Sequence, residues 1–598
     1  MTQQKIRTCQ QCKKEFTIAP EDFAFYEKIQ VPAPTWCPQC RMIRRMTFRN
    51  VRTIYKRKVV GTDKEVLSSF SASSPLKIYE QPYWMSDEWD AMRYGREYDF
   101  SRPFFQQLKE LMLDVPWAHG YNSHSINSDY CNNCDSLKNS YLLFNSGFSE
   151  ECFYGSEVLN SSKCIDNTNI FQCEFCYECI DCQKCFNCFY DQDCVNCIEV
   201  FFSSNLADCH DCVGCVNLKH KSFCIFNVQY TEEEYKQRIA NMHLNSYAAV
   251  QELIRHVREF QLTFPHKFMH GQANEEVSGD YLNHCKNTRA SFLSKDLEDC
   301  AYSQLILFLL SKDSYDITVA GGELCYELEE GGGYNVRFAW LAIPKNLGTG
   351  QVDLTDIEYV MNCYGVSNIF GCVGLKKKQY CILNKQYTKD EYERLRKRII
   401  QHMSEMPYID SQGRAYRYGE FFPTELSPFA YNETLAQEFF PLTKEEALQQ
   451  GYVWRDSEER IIAPTLFSHT LPDTIEQIDT NIATKLIECQ HTGTCTHQCT
   501  KVFKIIVQEL EFYKKFNLPL PRLCHNCRHY ERIQKRNPLV LHQRACQCAG
   551  HATENAVYTN NTAHNHGTEH CSNTFTTTFS PDRKEIVYCE ECYQKEVV

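Results

Sequence analysis

Residues 173–188 read CEFCYECIDCQKCFNC, with a cysteine at every third position. Taken alone, a CxxCxxCxxC run could cradle an iron–sulfur cluster. The run belongs to a larger set of sixteen cysteines between Cys131 and Cys224. Two interpretations are open for this segment: a metal or cluster site, or a buried core in which cysteine serves as a small apolar residue.

An internal duplication favours the buried-core interpretation. The stretch GCVNLKHKSFCIFNVQYTEEEY (214–235) matches GCVGLKKKQYCILNKQYTKDEY (371–392), and residues 176–178 match residues 325–327. In this second match the other cysteines of the run become Gly322, Leu328, Gly331, Tyr334 and Arg337. Metal ligands do not usually vary in this way while the surrounding residues persist. We therefore predict that most of the sixteen cysteines are reduced, buried and free of metal.

The spacing of aromatic residues predicts the fold of this duplicated region. Aromatic side chains recur about every eleven to thirteen residues, separated by short turns rich in Asn, Asp and Ser. They are Tyr141, Tyr154, Tyr177, Phe189 and Phe201 in the first copy, and Tyr302, Tyr315, Tyr326 and Phe338 in the second. Regular short strands separated by turns indicate a β-solenoid. Each copy is expected to end on a helix with a capping box, at 231–234 and 388–391, and an apolar helix face at 250–257 is expected to cover the first copy.

A second duplication lies towards the two ends of the chain. Residues 12–50 and 499–537 align without a gap and share cysteines, aromatic residues, two prolines and a series of arginines. The pattern Cys9-x2-Cys12 followed by Cys37-x2-Cys40 is typical of a structural zinc ribbon with tetrahedral sulfur coordination. A metal ion would replace the hydrophobic core that so short a module cannot build.

Two further zinc ribbons are predicted near the C-terminus. The second ribbon keeps Cys499, Cys524 and Cys527, and its fourth ligand is predicted to be Cys495, with Cys489 as the alternative. The predicted ligands of the third ribbon are Cys546, Cys571, Cys589 and Cys592, with Cys548 or a histidine of the intervening insert as alternatives to Cys546. We therefore expect about three Zn²⁺ ions per chain, with no open coordination position for catalysis.

The arginines suggest a binding surface. The whole chain has a net charge of −13, yet residues 1–60 hold thirteen Lys and Arg against four Asp and Glu. At helical spacing, the arginines form one stripe in each of the first two modules. These residues are Arg41, Arg45, Arg49 and Arg52 in the first module and Arg528, Arg532 and Arg536 in the second. We predict that they contact nucleic-acid phosphates; the alternative is that they pair with the acidic remainder of the chain.

These patterns predict a mainly β protein with short helices, in which a duplicated β-solenoid-like centre is flanked by treble-clef or zinc-ribbon modules. The predicted segments are a first zinc ribbon with a basic helix (1–60), a connector (61–125), solenoid copy 1 (126–240), a capping helix and linker (241–275), solenoid copy 2 (276–405), an aromatic, proline-rich connector (406–485), and the second (486–545) and third (546–598) zinc ribbons.

The chain resembles a group of cysteine-rich, zinc-ribbon-bearing proteins of candidate phyla radiation bacteria. The phrases that carry the resemblance are VPAPTWCPQCRMIRRMTFRN, MSDEWDAMRYGREYDFSRPFF, GLKKKQYCILNKQYTKDEYE, YGEFFPTELSPFAYNET, LPLPRLCHNCRH and SPDRKEIVYCEECYQKEVV. The resemblance implies a bacterial, intracellular zinc protein and no particular activity.

The function predicted from the sequence is a non-enzymatic zinc-binding scaffold. Its terminal ribbons would dock on nucleic acid, on RNA or a ribonucleoprotein in particular, or on a protein partner. The alternative is an enzyme: an iron–sulfur or thiol redox protein using the cysteine run at 173–197, or a carbohydrate-acting β-helix. Acidic residues for the latter exist, but the sequence does not place two of them together. We expect a cytoplasmic protein, since the N-terminus lacks a signal peptide and no apolar run could span a membrane.

Overall fold

The chain folds mainly into β-strands, with short helices around two central repeats. The computed structural model describes residues 5–307, 310–344, 353–456 and 462–597. Within these residues the α-helices are α1 (Pro20–Lys28), α2 (Pro38–Met46), α3 (Gln81–Met85), α4 (Phe104–Asp114), α5 (Glu232–Ala240), α6 (Tyr247–Gln261), α7 (Lys389–Glu405), α8 (Leu435–Phe439), α9 (Lys444–Gln449), α10 (Val507–Lys515), α11 (His525–Ile533) and α12 (Glu590–Val597). The predicted fold class, a duplicated β-solenoid flanked by cysteine-rich modules, is confirmed.

The first solenoid copy winds in coils of twelve residues. Parallel bridges join each residue to the one twelve positions later, as from Phe153 to Ile165 and from Tyr177 to Phe189. Its strands are Asn122–Ser123, Cys134–Asp135, Ser156–Leu159, Thr168–Phe171, Ile180–Gln183, Ile198–Phe201, His210–Val213, Ser222–Ile225 and Val228–Gln229. The aromatic spacing of eleven to thirteen residues therefore reflects the length of one coil.

Each coil of the first copy consists of three-residue steps. Every third residue from His124 to Phe226 has a positive φ, between 47° and 64°. The left-handed conformation costs an L-residue roughly 1–2 kcal/mol, and Asn and Asp tolerate it best. Hydrogen bonds to the preceding coil offset this cost: the amides of Tyr154 and Asp166 donate to the carbonyls of Tyr141 and Phe153, both at 3.0 Å. This geometry explains the richness of the turns in Asn and Asp.

The residue after each left-handed position points into the solenoid. Its amide also points inward, where side chains one coil earlier accept the hydrogen bond. Ser161 Oγ accepts from the Cys173 amide at 3.1 Å, and Asn167 Oδ1 accepts from the Cys179 amide at 2.8 Å. Cysteine fills the same role, since Cys164 Sγ accepts from the Cys176 amide at 3.5 Å. The interior therefore favours small side chains that carry an acceptor, which Leu and Val lack.

The second copy is a continuous sheet of eleven strands in sequence order. The strands are Gly271–Gln272, Glu275–Asn283, Lys286–Lys295, Leu297–Glu298, Ser311–Lys312, Tyr315–Glu323, Tyr326–Ile343, Thr355–Tyr364, Ser367–Phe370, Gln379–Ile382 and Lys385–Gln386. All neighbours pair in parallel except the last two, which form an antiparallel hairpin. The first copy ends on the same hairpin, with Cys224 opposite Gln229.

Glycine replaces cysteine in the second copy where neighbouring coils approach closely. Gly322 and Gly331 have φ values of 137° and 132°. A Cβ atom would lie 2.1 Å from the Gly333 carbonyl oxygen at the first position and 1.8 Å from that of Ala342 at the second. Side chains are therefore excluded there, and the exchange of cysteine for glycine follows from backbone packing.

Helices cover the solenoids as predicted. Both capping boxes form: the Thr231 hydroxyl accepts from the Glu234 amide at 3.3 Å, and Thr388 and Glu391 repeat the contact at 3.4 Å. Helix α6 buries its apolar face against the first copy, in a cluster comprising Phe202, Val213, Ile225, Val250 and Val257. None of the described helices is both long and apolar enough to cross a membrane.

Two-stranded pairings build the remaining modules. They are Lys5–Thr8 with Glu15–Ile18, Tyr55–Lys58 with Glu65–Ser68, Ile78–Tyr79 with Trp117–Ala118, Tyr408–Ile409 with Ala415–Tyr416, Ile487–Glu488 with Val502–Phe503, His542–Ala545 with Thr574–Thr577, and Pro265–Lys267 with Ile586–Tyr588. The connector helix α4 and the aromatic segment around Phe421 share one buried core with the N-terminal module and the second solenoid copy. The module at 487–537 instead shares a core with the outer face of the first copy.

Candidate metal centres

The first predicted tetrad is assembled in full. Cys9 and Cys12 lie in the turn between the first two strands, while Cys37 caps α2 and Cys40 lies in its first turn. Their four sulfur atoms lie within 4.8 Å of one another, and Cys12 Sγ is 3.9 Å from Cys37 Sγ. Four converging sulfurs on a hairpin and a helix N-terminus could hold a metal ion in closed tetrahedral coordination.

The second tetrad uses Cys489, where the prediction placed Cys495. Cys489 gathers with Cys499, Cys524 and Cys527. Its backbone position is equivalent to that of Cys9. The Cys489 amide donates to Lys501 O at 2.8 Å, and the Cys9 amide donates to Lys14 O at 2.9 Å. Its sulfur accepts from the Cys524 amide at 3.2 Å. An ungapped alignment missed this equivalence because the loop between the first two ligands is longer here than in the first module.

The third tetrad consists of Cys546, Cys571, Cys589 and Cys592, the residues named from the sequence. Cys546 Sγ accepts from the Cys589 amide at 3.2 Å, the same contact that orders the other two tetrads. Cys548, the alternative to Cys546, lies instead with histidines of the insert.

The thiols of the first tetrad shift one another's pKa values in opposite directions. In the first tetrad, hydrogen bonds from Cys37 and Cys40 lower the pKa of Cys9, whereas those with Cys37 and Cys9 raise the pKa of Cys40. Ionisation of Cys9 is thus favoured by its thiol neighbours, whereas ionisation of Cys40 is opposed. A bound divalent cation would allow all four thiols to ionise, which is the usual reason that metal binding to cysteine releases protons.

Two further ligand groups were missed from the sequence. His491, Cys495, His497 and Cys527 place one ligand atom each within 4.8 Å of one another. The third module holds the corresponding group, whose members are Cys548, His564, His566 and Cys592. The sequence feature that could have predicted these groups is the presence of Cys and His in the loop between the first two ligands of the second and third modules.

The arginine stripes are buried and do not form the exposed basic surface on which the nucleic-acid prediction rested. The side chains of all seven arginines are between 0% and 8% exposed. They are Arg41, Arg45, Arg49, Arg52, Arg528, Arg532 and Arg536. Helices α2 and α11 carry four of them, and Arg49, Arg52 and Arg536 follow the helix ends. Most of them pair with acidic residues of the solenoids, which was the alternative considered from the sequence.

Arg45 shows how the first module is attached to the second solenoid copy. Its Nη1 donates to Asp316 Oδ1 at 2.9 Å and Glu327 Oε2 at 3.0 Å, its Nε to Thr318 Oγ1 at 3.2 Å, and its Nη2 to Tyr302 O at 3.2 Å. A fully buried guanidinium is thus satisfied by two carboxylates, a hydroxyl and a carbonyl.

Arg532 makes the same contacts on the first copy. Its Nη1 donates to Asp166 Oδ1 at 3.1 Å and Glu178 Oε1 at 3.0 Å, its Nε to Thr168 Oγ1 at 3.4 Å, and its Nη2 to Tyr154 O at 3.2 Å. The duplication therefore preserved a complete module–solenoid interface. Through Arg45 and Arg532 the two modules are attached crosswise, each to the solenoid copy more distant in sequence from itself.

The remaining stripe residues are also engaged. Arg49 pairs with Glu330, and Arg536 forms two hydrogen bonds to Asp181 at 2.6 and 2.8 Å. Arg52 stacks on Phe144, with 4.5 Å between its guanidinium carbon and the ring centroid. No arginine of the two stripes presents its guanidinium to solvent.

The solenoid cysteines are buried, as predicted. Each thiol lies near backbone carbonyls: Cys176 Sγ is 3.7 Å from Glu174 O and 3.6 Å from Cys185 O. In the described parts of the chain, none of the sixteen belongs to a group of three or more ligand atoms within 4.8 Å. Cysteine here packs the core and also serves the inward amides, so the interpretation as a purely apolar residue was incomplete. Their metal-free state stays a prediction.

A large cleft lies between the first solenoid copy, α6, the start of the second copy and the two C-terminal modules. Its volume is about 1840 Å³. Nine acidic and eight basic side chains line it. The acidic ones are Glu178, Asp181, Asp191, Asp193, Glu276, Asp296, Glu531, Glu585 and Glu590; the basic ones are Lys219, Arg258, Lys267, Lys295, Arg522, Arg528, Lys535 and Arg583. The cleft therefore carries almost balanced charge.

One strongly perturbed titratable pair in this cleft is His270 with Asp193. Burial alone would lower the pKa of His270, but Asp280 at 2.9 Å and Asp193 at 3.9 Å outweigh it and raise the pKa to about 9. Burial raises the pKa of Asp193 to about 8, opposed by His270. Asp181 and Asp193 are one coil apart in the sequence, a relation invisible without the twelve-residue period, but Arg536 already neutralises Asp181.

No protein-family model matches the chain, and no curated protein matches it. Among solved structures, the chain is similar to a proposed acetyltransferase from Desulfovibrio desulfuricans G20. The identity is 11%, the match covers 50% of this chain and 86% of that one, and the TM-score is 0.10. A similarity this low carries no argument about fold or activity.

Proposed function

We propose that this protein is a zinc-binding scaffold whose partner is a protein segment held in the large cleft. The observation that carries the proposal is the set of closed four-cysteine sites, each built on a hairpin and a helix N-terminus. Four thiolates in this arrangement favour Zn²⁺, and they leave no position for a substrate or a reactive water.

The candidate metal sites support a scaffold role because they position the helices that attach the modules to the solenoids. The first tetrad positions α2, and the second positions α11; these helices insert Arg45 and Arg532 into the two solenoid copies. Zinc would thus fix the modules whose arginines attach them to the two solenoid copies. The chemistry required is structural, since bound zinc supplies the folding free energy of small modules.

The charges favour a protein partner over nucleic acid. The arginines that gave the N-terminal module its excess positive charge are neutralised inside the molecule by residues such as Asp316 and Glu327. The cleft offers nine carboxylates against eight basic groups, which would repel a polyanion about as much as attract it. A polypeptide segment with both charges and apolar side chains matches such a lining better.

A direct test is the binding of full-length protein to single-stranded RNA and duplex DNA at low ionic strength, where attraction to phosphates is strongest. We expect no measurable complex by fluorescence anisotropy. The variant Lys219→Glu/Lys267→Glu, which makes the cleft more acidic, should behave identically. A complex that weakens with salt and is lost in this variant would overturn the preference for a protein partner.

A further inference from the structure

We propose that the modules at 487–537 and 542–597 each hold two metal ions joined by a bridging cysteine thiolate, Cys527 in one module and Cys592 in the other. This deepens the proposed zinc function, on which it rests. The first module, built on the same hairpin and helix, holds a single ion. The chain would then bind about five zinc ions where the sequence indicated three.

The bridge follows from two ligand groups that share one sulfur. In the second module, Cys527 belongs both to the four-cysteine group and to the group formed with His491, Cys495 and His497. Cys527 Sγ lies 3.8 Å from Cys489 Sγ and 3.7 Å from Cys495 Sγ. These distances suit sulfur ligands on the edges of two tetrahedra that meet at Cys527.

The histidines of this second group have nitrogens that lack a partner. The Nδ1 atoms of His491 and His497 are buried and accept or donate no hydrogen bond within the described residues. Their Nε2 atoms face outer polar groups: that of His491 lies 3.5 Å from Glu531 Oε1, and that of His497 lies 3.1 Å from Gln534 Nε2. A metal-bound imidazole commonly has its second nitrogen held by a polar group, and the unpartnered Nδ1 is then the ligand atom.

The third module repeats this arrangement with an unrelated loop. His564 Nδ1 is 3.4 Å from Cys548 Sγ, and His566 Nε2 is 3.3 Å from Cys592 Sγ. The outer nitrogens are again held, His564 Nε2 by Glu596 at 2.8 Å and His566 Nδ1 by the Glu569 carbonyl at 2.7 Å.

The two histidine pairs also share their relative geometry. The ring centroids of His491 and His497 are 5.3 Å apart at an interplanar angle of 62°, and those of His564 and His566 are 5.4 Å apart at the same angle. Loops that differ in length and sequence thus bring one cysteine and two histidines to the same place in each module. The second histidine differs in its inward atom, which is Nδ1 in His497 and Nε2 in His566.

The position of the outer glutamate strengthens the equivalence. Glu531 and Glu596 each lie four residues after the shared cysteine, one helical turn along α11 and α12. In the first module the corresponding residue is Arg44, which pairs with Glu327 at 2.7 Å and Glu420 at 3.0 Å. A cation at this place is incompatible with holding a metal-bound imidazole.

The inserted loops account for the additional ligands. Two residues separate Cys9 from Cys12, whereas nine separate Cys489 from Cys499 and twenty-four separate Cys546 from Cys571. Each insert supplies one cysteine and two histidines to the second ligand group, and the first module has Gln10 and Gln11 instead. The mononuclear module of the same chain therefore serves as an internal reference.

The second position in each module has a chemistry that suits zinc. The bridging thiolate, a second thiolate and two neutral imidazoles form a tetrahedral set typical of structural Zn²⁺ sites. A second divalent cation also reduces the net negative charge of thiolates gathered in a buried site. Each site is closed by four protein ligands, so the pair is structural.

The test is the zinc content of the full-length protein, measured by mass spectrometry of the metal. We expect about five ions per chain in the wild type and a loss of one ion in each of the variants His491→Ala/His497→Ala and His564→Ala/His566→Ala. The exposed His469→Ala and His551→Ala serve as matched controls and should lose none. About three ions in the wild type, unchanged in both double variants, would overturn the proposal.

Bridging is tested separately by substitution with cadmium-113. A shared thiolate transmits scalar coupling between two cadmium nuclei, so we expect two coupled pairs of signals and one uncoupled signal. Five uncoupled signals would show separate sites and would contradict the bridge. A protein that binds no zinc at all would refute the proposed function itself, an outcome distinct from binding three ions.

Discussion

At the residue scale, the arginines show why retention in both copies of a repeat does not by itself indicate an external ligand. Arg45 and Arg532 lie 487 positions apart, yet each contacts an aspartate, a glutamate, a threonine and a tyrosine carbonyl. Their partners come from solenoid residues that were duplicated separately. The spacing typical of a phosphate-binding stripe is equally suited to a row of internal ion pairs.

Removing one of these arginines should destabilise the protein strongly. In Arg532→Met, the carboxylates of Asp166 and Glu178 would lose their shared partner, at an expected cost of about 3–5 kcal/mol in the free energy of unfolding. Because its contacts are the same, Arg45→Met should cost a similar amount. Urea-induced unfolding followed by circular dichroism measures the change.

The exposed Arg394→Met is the matched control and should change stability by less than about 0.5 kcal/mol. The triple variant Arg532→Met/Asp166→Asn/Glu178→Gln should recover part of the loss, since no buried charge is left unpaired. Equal stability of Arg532→Met and the control would contradict the proposed interface.

At the element scale, the three-residue step determines the composition of the first solenoid copy. Each step turns at a left-handed residue and directs the next amide inward, and many of the interior side chains are small and accept a hydrogen bond. Apolar side chains such as Leu143, Val158 and Val200 fill other interior positions. The cysteines at every third position therefore pack the interior and, in places, accept hydrogen bonds from inward-pointing amides, as Cys164 does from Cys176. In the second copy, longer strands such as Tyr326–Ile343 satisfy more amides by sheet pairing, and glycine or apolar residues replace cysteine.

The interior acceptors can be tested at Asn167. This side chain accepts from the Cys179 amide and donates to the carbonyls of Ile165 and Cys176 at 3.0 and 2.9 Å. The similarly sized substitution Asn167→Leu leaves these buried groups unsatisfied, and we expect a loss of at least about 1–3 kcal/mol in unfolding free energy. Gln183→Leu, on the exposed outer face of the same solenoid, should cost less than about 0.5 kcal/mol. A neutral or stabilising Asn167→Leu would show that the interior requires only volume.

At the scale of the whole molecule, the modules and solenoids are assembled crosswise. The N-terminal module and helix α4 pack on the second solenoid copy, whereas residues 489–537 pack on the first. The third module pairs Ile586–Tyr588 with Pro265–Lys267, the segment that joins the two copies. Candidate metal sites thus lie in each of the three modules that pack back on the solenoid region.

Chelation should therefore loosen the ends of the chain before the centre. Since the solenoid hydrogen bonds use no metal ligand, we expect faster amide exchange first within 5–58 and 487–597 after treatment with a strong chelator, and slower changes within 122–229. Hydrogen exchange read by mass spectrometry measures this order, and restored zinc should reverse it. Simultaneous exchange throughout the chain would indicate that zinc stabilises the solenoids directly.

The sequence by itself determined which local structures form. The cysteine spacing predicted the ribbons, the aromatic spacing predicted the coil length to within one residue, and Thr231 and Thr388 predicted the helix starts. Each of these features depends on residues close together in the chain, whose geometry follows from backbone stereochemistry and from metal-ligand spacing.

Only the tertiary structure decided what these elements face. The partners of Arg45 are more than 250 residues away, so no local pattern could distinguish Asp316 from an external phosphate. The choice of Cys489 over Cys495 depended on which backbone completes the hairpin, and the placement of His491 and His497 depended on how the inserted loop folds back. Long-range packing and burial determined the arginine partners, the cysteine ligand and the histidine positions, and residue spacing alone does not encode them.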